Sequence, residues 1–140
     1  MDEVRNTIIL LVLGIHALTD IKERQISLFL TSGSVLAGII FGVYSDAMQF
    51  HDFLFAVIPG MILLASGYWT GGKVGYGDGL VILSLGIWTG LEETFLLLVG
   101  GLLLCSVFCG IGLAAGKLKK EDPVPFLPFL LVCFIGRLCL

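Results

Sequence analysis

FLFAVIPGMILLASGYW (53–69) and LVILSLGIW (80–88) are two stretches too apolar for a soluble protein, and between them stands Gly75-Tyr76-Gly77-Asp78-Gly79. An ionisable carboxylate at such a depth needs a reason. A charge in or beside hydrocarbon costs on the order of 3 kcal/mol or more, so an acid there marks a function and calls for a partner. Asp20, at the end of the first apolar run, is the best partner in the chain.

The composition carries the same message. Hydrophobic residues make up 57% of the chain and charged residues 14%, and the mean hydropathy is +1.04. That leaves too few polar groups to cover a water-facing surface. A bilayer-spanning helix needs about 20 apolar residues at roughly 1.5 Å each. Six stretches qualify: residues 4–19, 26–44, 53–69, 80–91, 94–116 and 124–140. The first and fourth are short, and each abuts an aspartate, which points to a bilayer edge cut by protein or by a water-filled cavity. A membrane β-barrel would alternate polarity along each strand, whereas residues 95–99 and 102–104 are continuously apolar. The expected fold is therefore an all-α integral membrane protein, a bundle of about six transmembrane helices forming one membrane-embedded domain over residues 1–140. The first run has the length of a signal-peptide core, but Asp2, Glu3 and Arg5 precede it and Asp20 follows, so a cleavable signal is not expected.

Orientation follows from the basic residues. The connections after spans one, three and five hold Lys22, Arg24, Lys73, Lys117, Lys119 and Lys120, six of the eight Lys and Arg, and those after spans two and four hold none. By the positive-inside rule the odd connections face the cytoplasm and both termini lie outside, with Arg5 and Arg137 as minor exceptions. Asp46, Asp52, Glu92 and Glu93 then lie outside. Asp20 and Asp78 both come out on the cytoplasmic side, at one depth.

Like charges a few ångströms apart in a poorly solvated setting resist double ionisation, so such a pair holds on to one proton. One carboxyl group then serves as base and the other as acid. The base takes a proton from a water attacking a peptide carbonyl, and the acid protonates the leaving amine. The assignment of the two roles is open at this stage, because coupled titration is a property of the pair. Gly75, Gly77 and Gly79 carry no Cβ and would admit a close substrate backbone.

These residues carry a resemblance. Gly75-Tyr76-Gly77-Asp78 resembles the GxGD motif of the GxGD aspartyl proteases. Asp20-Ile21-Lys22-Glu23-Arg24-Gln25-Ile26, with Thr31, resembles the first-aspartate segment of prepilin peptidases, and Pro125-Phe126-Leu127-Pro128-Phe129 resembles their proline-bearing last helix. The similarity runs through essentially the whole chain in the family's order. It implies six membrane helices, Asp20 and Asp78 as the catalytic pair, no cofactor and no metal. It also implies a plasma-membrane enzyme that removes the short basic leader of type IV pilin-like precursors at the cytoplasmic face. Two positions depart: Ile26-Ser27-Leu28 stands where many members read Ile-Pro-Asn, and Gly79-Leu80 follows the motif aspartate where members often carry Val-Lys. The paired CxxC motifs of the long form are not in the sequence, so a short, peptidase-only member similar to those of Tad-type systems is expected.

Each signal also has a plainer reading. Asp20 and Asp78 are common at helix ends and in glycine turns. Gly71-Gly72-Lys73 lacks the Walker spacing of a phosphate loop, and neither nucleotide nor nucleic acid is expected as a partner. His16, one turn before Asp20, suits an orienting role or, more simply, hydrogen-bonded packing against another helix. His51, beside Asp52 in an outside loop, reads as solvated, and Glu92 and Glu93 read as loop solvation. Cys105, Cys109, Cys133 and Cys139 read as small packing residues. Lys117, Lys119 and Lys120 suit anionic headgroups, and Glu23 is the candidate for meeting a basic leader. Gly33, Gly38, Gly100 and Gly101 suit close helix packing, and Tyr68, Trp69 and Trp88 suit interfacial anchoring. Two other function classes stay open, a small proton-coupled carrier and a non-enzymatic membrane assembly protein. Against the carrier, both acids lie at one face, whereas transporter sites lie near the midplane.

Overall fold

A computed structural model describes residues 2–23, 26–44, 49–72 and 75–140, and among these all regular structure is helical. In chain order the helices are α1 (Asp2–Glu23), α2 (Leu28–Tyr44), α3 (Phe50–Ala56), α4 (Ile58–Trp69), α5 (Tyr76–Thr89), α6 (Leu91–Ala114) and α7 (Leu127–Cys139). α3 and α4 form one apolar rod, His51–Trp69, interrupted at Val57. Pro59 explains the interruption: it lacks an N–H and its ring crowds the carbonyl one turn back, which suits only the start of a helix. Asp2–Glu23, His51–Trp69 and Leu91–Ala114 are long and apolar enough to cross a membrane, and α2 and α7 are shorter apolar helices.

α5 is the axis of the molecule. Gly79, Val81, Ile82, Ser84, Leu85, Gly86, Ile87 and Trp88 are all buried, so nearly every face of the helix meets protein. Its neighbours alternate in direction. α4 runs antiparallel to it, with Gly60 against Leu83 and Gly86 against Ala56, and the contact requires both glycines. A Cβ on Gly86 would stand 2.0 Å from the Ala56 carbonyl oxygen, and one on Gly60 would stand 2.5 Å from Leu83 Cα. α2 runs parallel to α5, with Ser34 at Ser84 and Gly38 at Trp88. α7 returns antiparallel along α6, from Gly101 beside Phe126 to Glu93 paired with Arg137. At roughly 1.5 Å per residue, the 14 residues of α5 span about 21 Å, short of a hydrocarbon core of about 30 Å.

The core joins Ile9, Leu13 and Ala17 of α1 to Val81, Ile82, Leu85 and Trp88 of α5, Leu97 of α6, and Leu127, Leu130 and Phe134 of α7. The outer faces are equally apolar: Leu96, Leu103 and Val107 on α6 are all more than half exposed. Water would not tolerate a face of that kind, and lipid covers it without penalty.

Several expectations are corrected. Span four starts at Tyr76 rather than at residue 80, so Asp78 lies in a helical first turn and not in a loop. Likewise α1 continues to Glu23 and contains Asp20. Trp88 is no interfacial anchor: it is buried, and its indole Nε1–H donates to the carbonyl oxygen of Ser34 at 3.0 Å. Glu93 is not simply solvated, since it pairs with Arg137, and His51 and Asp52 belong to the start of α3 rather than to a loop. Gly33 faces open space instead of a neighbouring helix, whereas Gly38 and Gly101 make the close contacts expected of them. Tyr68 and Trp69 are exposed at the end of α4, as anchors should be. Arg24, Asp46 and Lys73 lie outside the described residues, and with them the Gly71-Gly72-Lys73 segment as a whole and part of the charge pattern that set the orientation.

Candidate active site

Asp78 is the third residue of α5, after the N-cap Gly75. A carboxylate there faces unsatisfied backbone N–H groups and the positive end of the helix dipole, worth about 0.3–1 kcal/mol. Gly75 leaves room for it: a Cβ at residue 75 would stand 2.8 Å from Asp78 Oδ2. The two following glycines admit the chain itself. A Cβ at Gly77 would stand 2.2 Å from Ile26 Cδ1, and one at Gly79 would stand 3.1 Å from the Leu64 backbone nitrogen. The GxGDG run thus lets α5 start in contact with both the α1–α2 connection and α4.

Asp20 has the opposite setting. It lies in the last turn of α1, where its own helix presents carbonyl oxygens and a negative dipole end, and it is 9% exposed. Another helix compensates. The Leu127 backbone N–H, first of α7, donates to Asp20 Oδ2 at 3.3 Å. The sequence around Leu127 selects that donor. Pro128 has no N–H, and the N–H groups of Phe129 and Leu130 both bond to the Phe126 carbonyl. Phe126, the N-cap of α7, supplies no side-chain cap. Leu127 is therefore the first-turn N–H that needs an outside acceptor, and Asp20 is that acceptor.

The fold brings the two carboxyl groups together closely enough for the charge of Asp20 to act on Asp78. They reach the site from opposite helix ends, the finish of α1 and the start of α5. Glu23, three residues beyond Asp20, is exposed at the end of α1. Ser27 immediately precedes α2, and its Oγ accepts from the Leu30 N–H at 3.4 Å. This serine cap is the local form of the helix start where the resembling proteins carry Pro-Asn. His16 packs against α2 as its position suggested, with Nε2 at 3.3 Å from Thr31 Oγ1.

Sequence reasoning missed two contributors. The Leu127 N–H has no side-chain signature, although Pro128 hinted at it. Ile26 is recognisable only once Gly77 is seen to need a neighbour. Among the described residues no group of three or more His, Cys, Asp or Glu is arranged to hold a metal ion. At the opposite end of the bundle a cleft of about 460 Å³, bordered by Arg5, Asp52, Trp88 and Glu92, lies away from the two aspartates.

No curated protein and no solved structure matches the chain. A family model does, over residues 7–111, a stretch that contains both aspartates, the whole of α2 to α5 and most of α1 and α6. With three helices able to cross a bilayer, an axial helix that starts on an acid, and that match over most of its length, the chain belongs to the type IV leader peptidase family, a family of membrane proteases.

Proposed function

We propose that this protein is an aspartyl endopeptidase that removes the leader of a type IV pilin-like precursor, with water as the nucleophile activated between Asp20 and Asp78. The observation that carries the proposal is that Asp20 and Asp78, at opposite helix ends, lie within reach of each other's charge in a chain of the leader peptidase family. One group holds the proton of the pair and hydrogen-bonds the scissile carbonyl, and the other accepts a proton from the attacking water. The bond between the Leu127 N–H and Asp20 Oδ2 favours the charged form of Asp20. No covalent intermediate is required.

In this reading residues 1–140 work as a single membrane-embedded peptidase domain of six spans. The α3–α4 rod counts as one span, both termini lie outside, and the site opens to the cytoplasm. Exposed Lys22, in the last turn of α1, and exposed Lys117, Lys119 and Lys120, after the end of α6, lie at helix ends on the side of the aspartates, which supports that orientation. A basic leader would meet Glu23. The precursor's own apolar helix would lie in the groove of about 700 Å³ that begins at Leu28 and Phe29 of α2 and runs past Leu80 and Leu83 of α5, the helix that carries Asp78 in its first turn.

The test is co-expression with pilin-like precursors and mass measurement of the processed N-terminus. Cleavage at a single bond after a basic leader, lost in Asp20→Asn and in Asp78→Asn, is the expected result. Cleavage that persists in either variant overturns the aspartyl mechanism, and an intact leader on every precursor overturns the substrate.

A further inference from the structure

His16 is 1% exposed, and its Nδ1 is a buried polar atom with no hydrogen-bond partner among the described residues. The tautomer follows from its neighbours. The Thr31 hydroxyl spends its proton on the Ser27 carbonyl oxygen at 3.0 Å, so toward His16 Thr31 Oγ1 is an acceptor. His16 Nε2 therefore carries the hydrogen. With no acid among the residues that line the cavity beside it, the imidazole is neutral and Nδ1 is a bare lone pair facing protein. An unmet acceptor of this kind is unfavourable in a protein interior.

The same side chain borders a small cavity, together with Ile9, Leu13, Ser34, Ser84 and Trp88. It offers about 10 Å³ of room for the centre of a water molecule, which matches the ~10 Å³ that one bound water needs. Its polar wall has one proton to give. Ser34 Oγ accepts from Ser84 Oγ at 2.9 Å and, at 3.1 Å, from the Trp88 Nε1–H that it shares with the Ser34 carbonyl oxygen, which occupies both of its lone pairs and leaves its own O–H as a donor.

We propose that this cavity is a built site for a single water, which accepts from the Ser34 hydroxyl and donates to His16 Nδ1 and to Ser84 Oγ. Three partners are typical of a buried structural water. The water completes a directed chain of hydrogen bonds. The chain runs from Trp88 Nε1–H to Ser34, through the water to His16, then to Thr31 and the Ser27 carbonyl. It ties α1, α2 and α5 together one turn from Asp20, and it does not depend on the role proposed for the aspartates.

The protein has two histidines, so His51→Asn leaves His16 as the only imidazole signal. In that variant, labelled with 15N-histidine and reconstituted in bilayers, Nε2 is expected to be protonated. Nδ1 is expected to be unprotonated, hydrogen-bonded and to receive magnetisation from water protons, a transfer that D2O abolishes. A protonated Nδ1, or an Nδ1 that receives nothing from water, overturns the proposal. Adding Ser84→Ala, which leaves Ser34 in place, should retain the tautomer and weaken the transfer; an unaltered transfer removes Ser84 from the site.

Discussion

The two aspartates sit at helix ends of opposite sign. Asp78 occupies the start of α5, where backbone N–H groups and the dipole welcome an anion, and glycines at 75, 77 and 79 clear space around it. Asp20 occupies the last turn of α1, where its own helix opposes a charge, and it depends on the first N–H of α7. One acid is therefore held by local sequence, and the other by a bond from a helix more than a hundred residues away. Local placement is robust, whereas remote placement ties Asp20 to the packing of the last helix.

The largest effect should come from the acids themselves. Asp20→Asn and Asp78→Asn keep the shape of each side chain and remove its acid-base chemistry, so each should lower the cleavage rate by at least ~100-fold. Inserted protein should remain at normal levels, read by membrane fractionation beside precursor mass. Unequal losses would sharpen the contrast between the two settings. A milder blow falls on Asp20 alone. Replacing the Leu127 amide by an ester deletes the N–H and keeps the side chain. Hydrogen bonds to charged groups are worth about 1.5–3 kcal/mol, so cleavage should slow by ~10-fold or more. Leu127→Ala keeps the donor and empties a fully buried position. Its cost should appear as about 2–5 kcal/mol of stability in a denaturation series. If the ester is silent, remote support of Asp20 is wrong.

The Asp78 setting is tested through its glycines. Gly77→Ala drives a methyl into Ile26 and should destabilise by about 1–3 kcal/mol, as overpacking does. Ile26→Ala in the same chain should restore much of that loss, read as a shift in Tm; a lack of recovery would mean that Gly77 serves something other than this contact. The smallest effect belongs to exposed Glu23. Glu23→Gln should raise KM about 2-fold for a basic leader at low salt, with little change in kcat, and high salt should erase the difference.

Much of this is legible in the sequence, for definable reasons. Apolar runs of bilayer length announce helices regardless of tertiary detail, and Asp20 and Asp78 stand out because charge is rare there. Helix ends are harder to read: polar residues such as Asp20 and Asp78 suggest the close or the approach of a helix, yet they lie within the terminal turns. Trp88 misleads because an aromatic residue near a span end anchors at an interface unless a partner buries it, and Ser34 becomes visible as that partner only when α2 lies along α5. Glu93 misleads in the same way, since Arg137 reaches it only through the return of α7 along α6. The contribution of Leu127 is a backbone group, which no residue pattern encodes directly.

The central claim is that Asp20 and Asp78 share one proton, and infrared difference spectroscopy of the protein in bilayers at neutral pH tests it most directly. A shared proton predicts a carboxylic acid C=O band in the wild-type protein that disappears in Asp20→Asn and also in Asp78→Asn, because either remaining carboxyl group then ionises alone. A band that survives in both variants, or one absent from the wild-type protein, would contradict it.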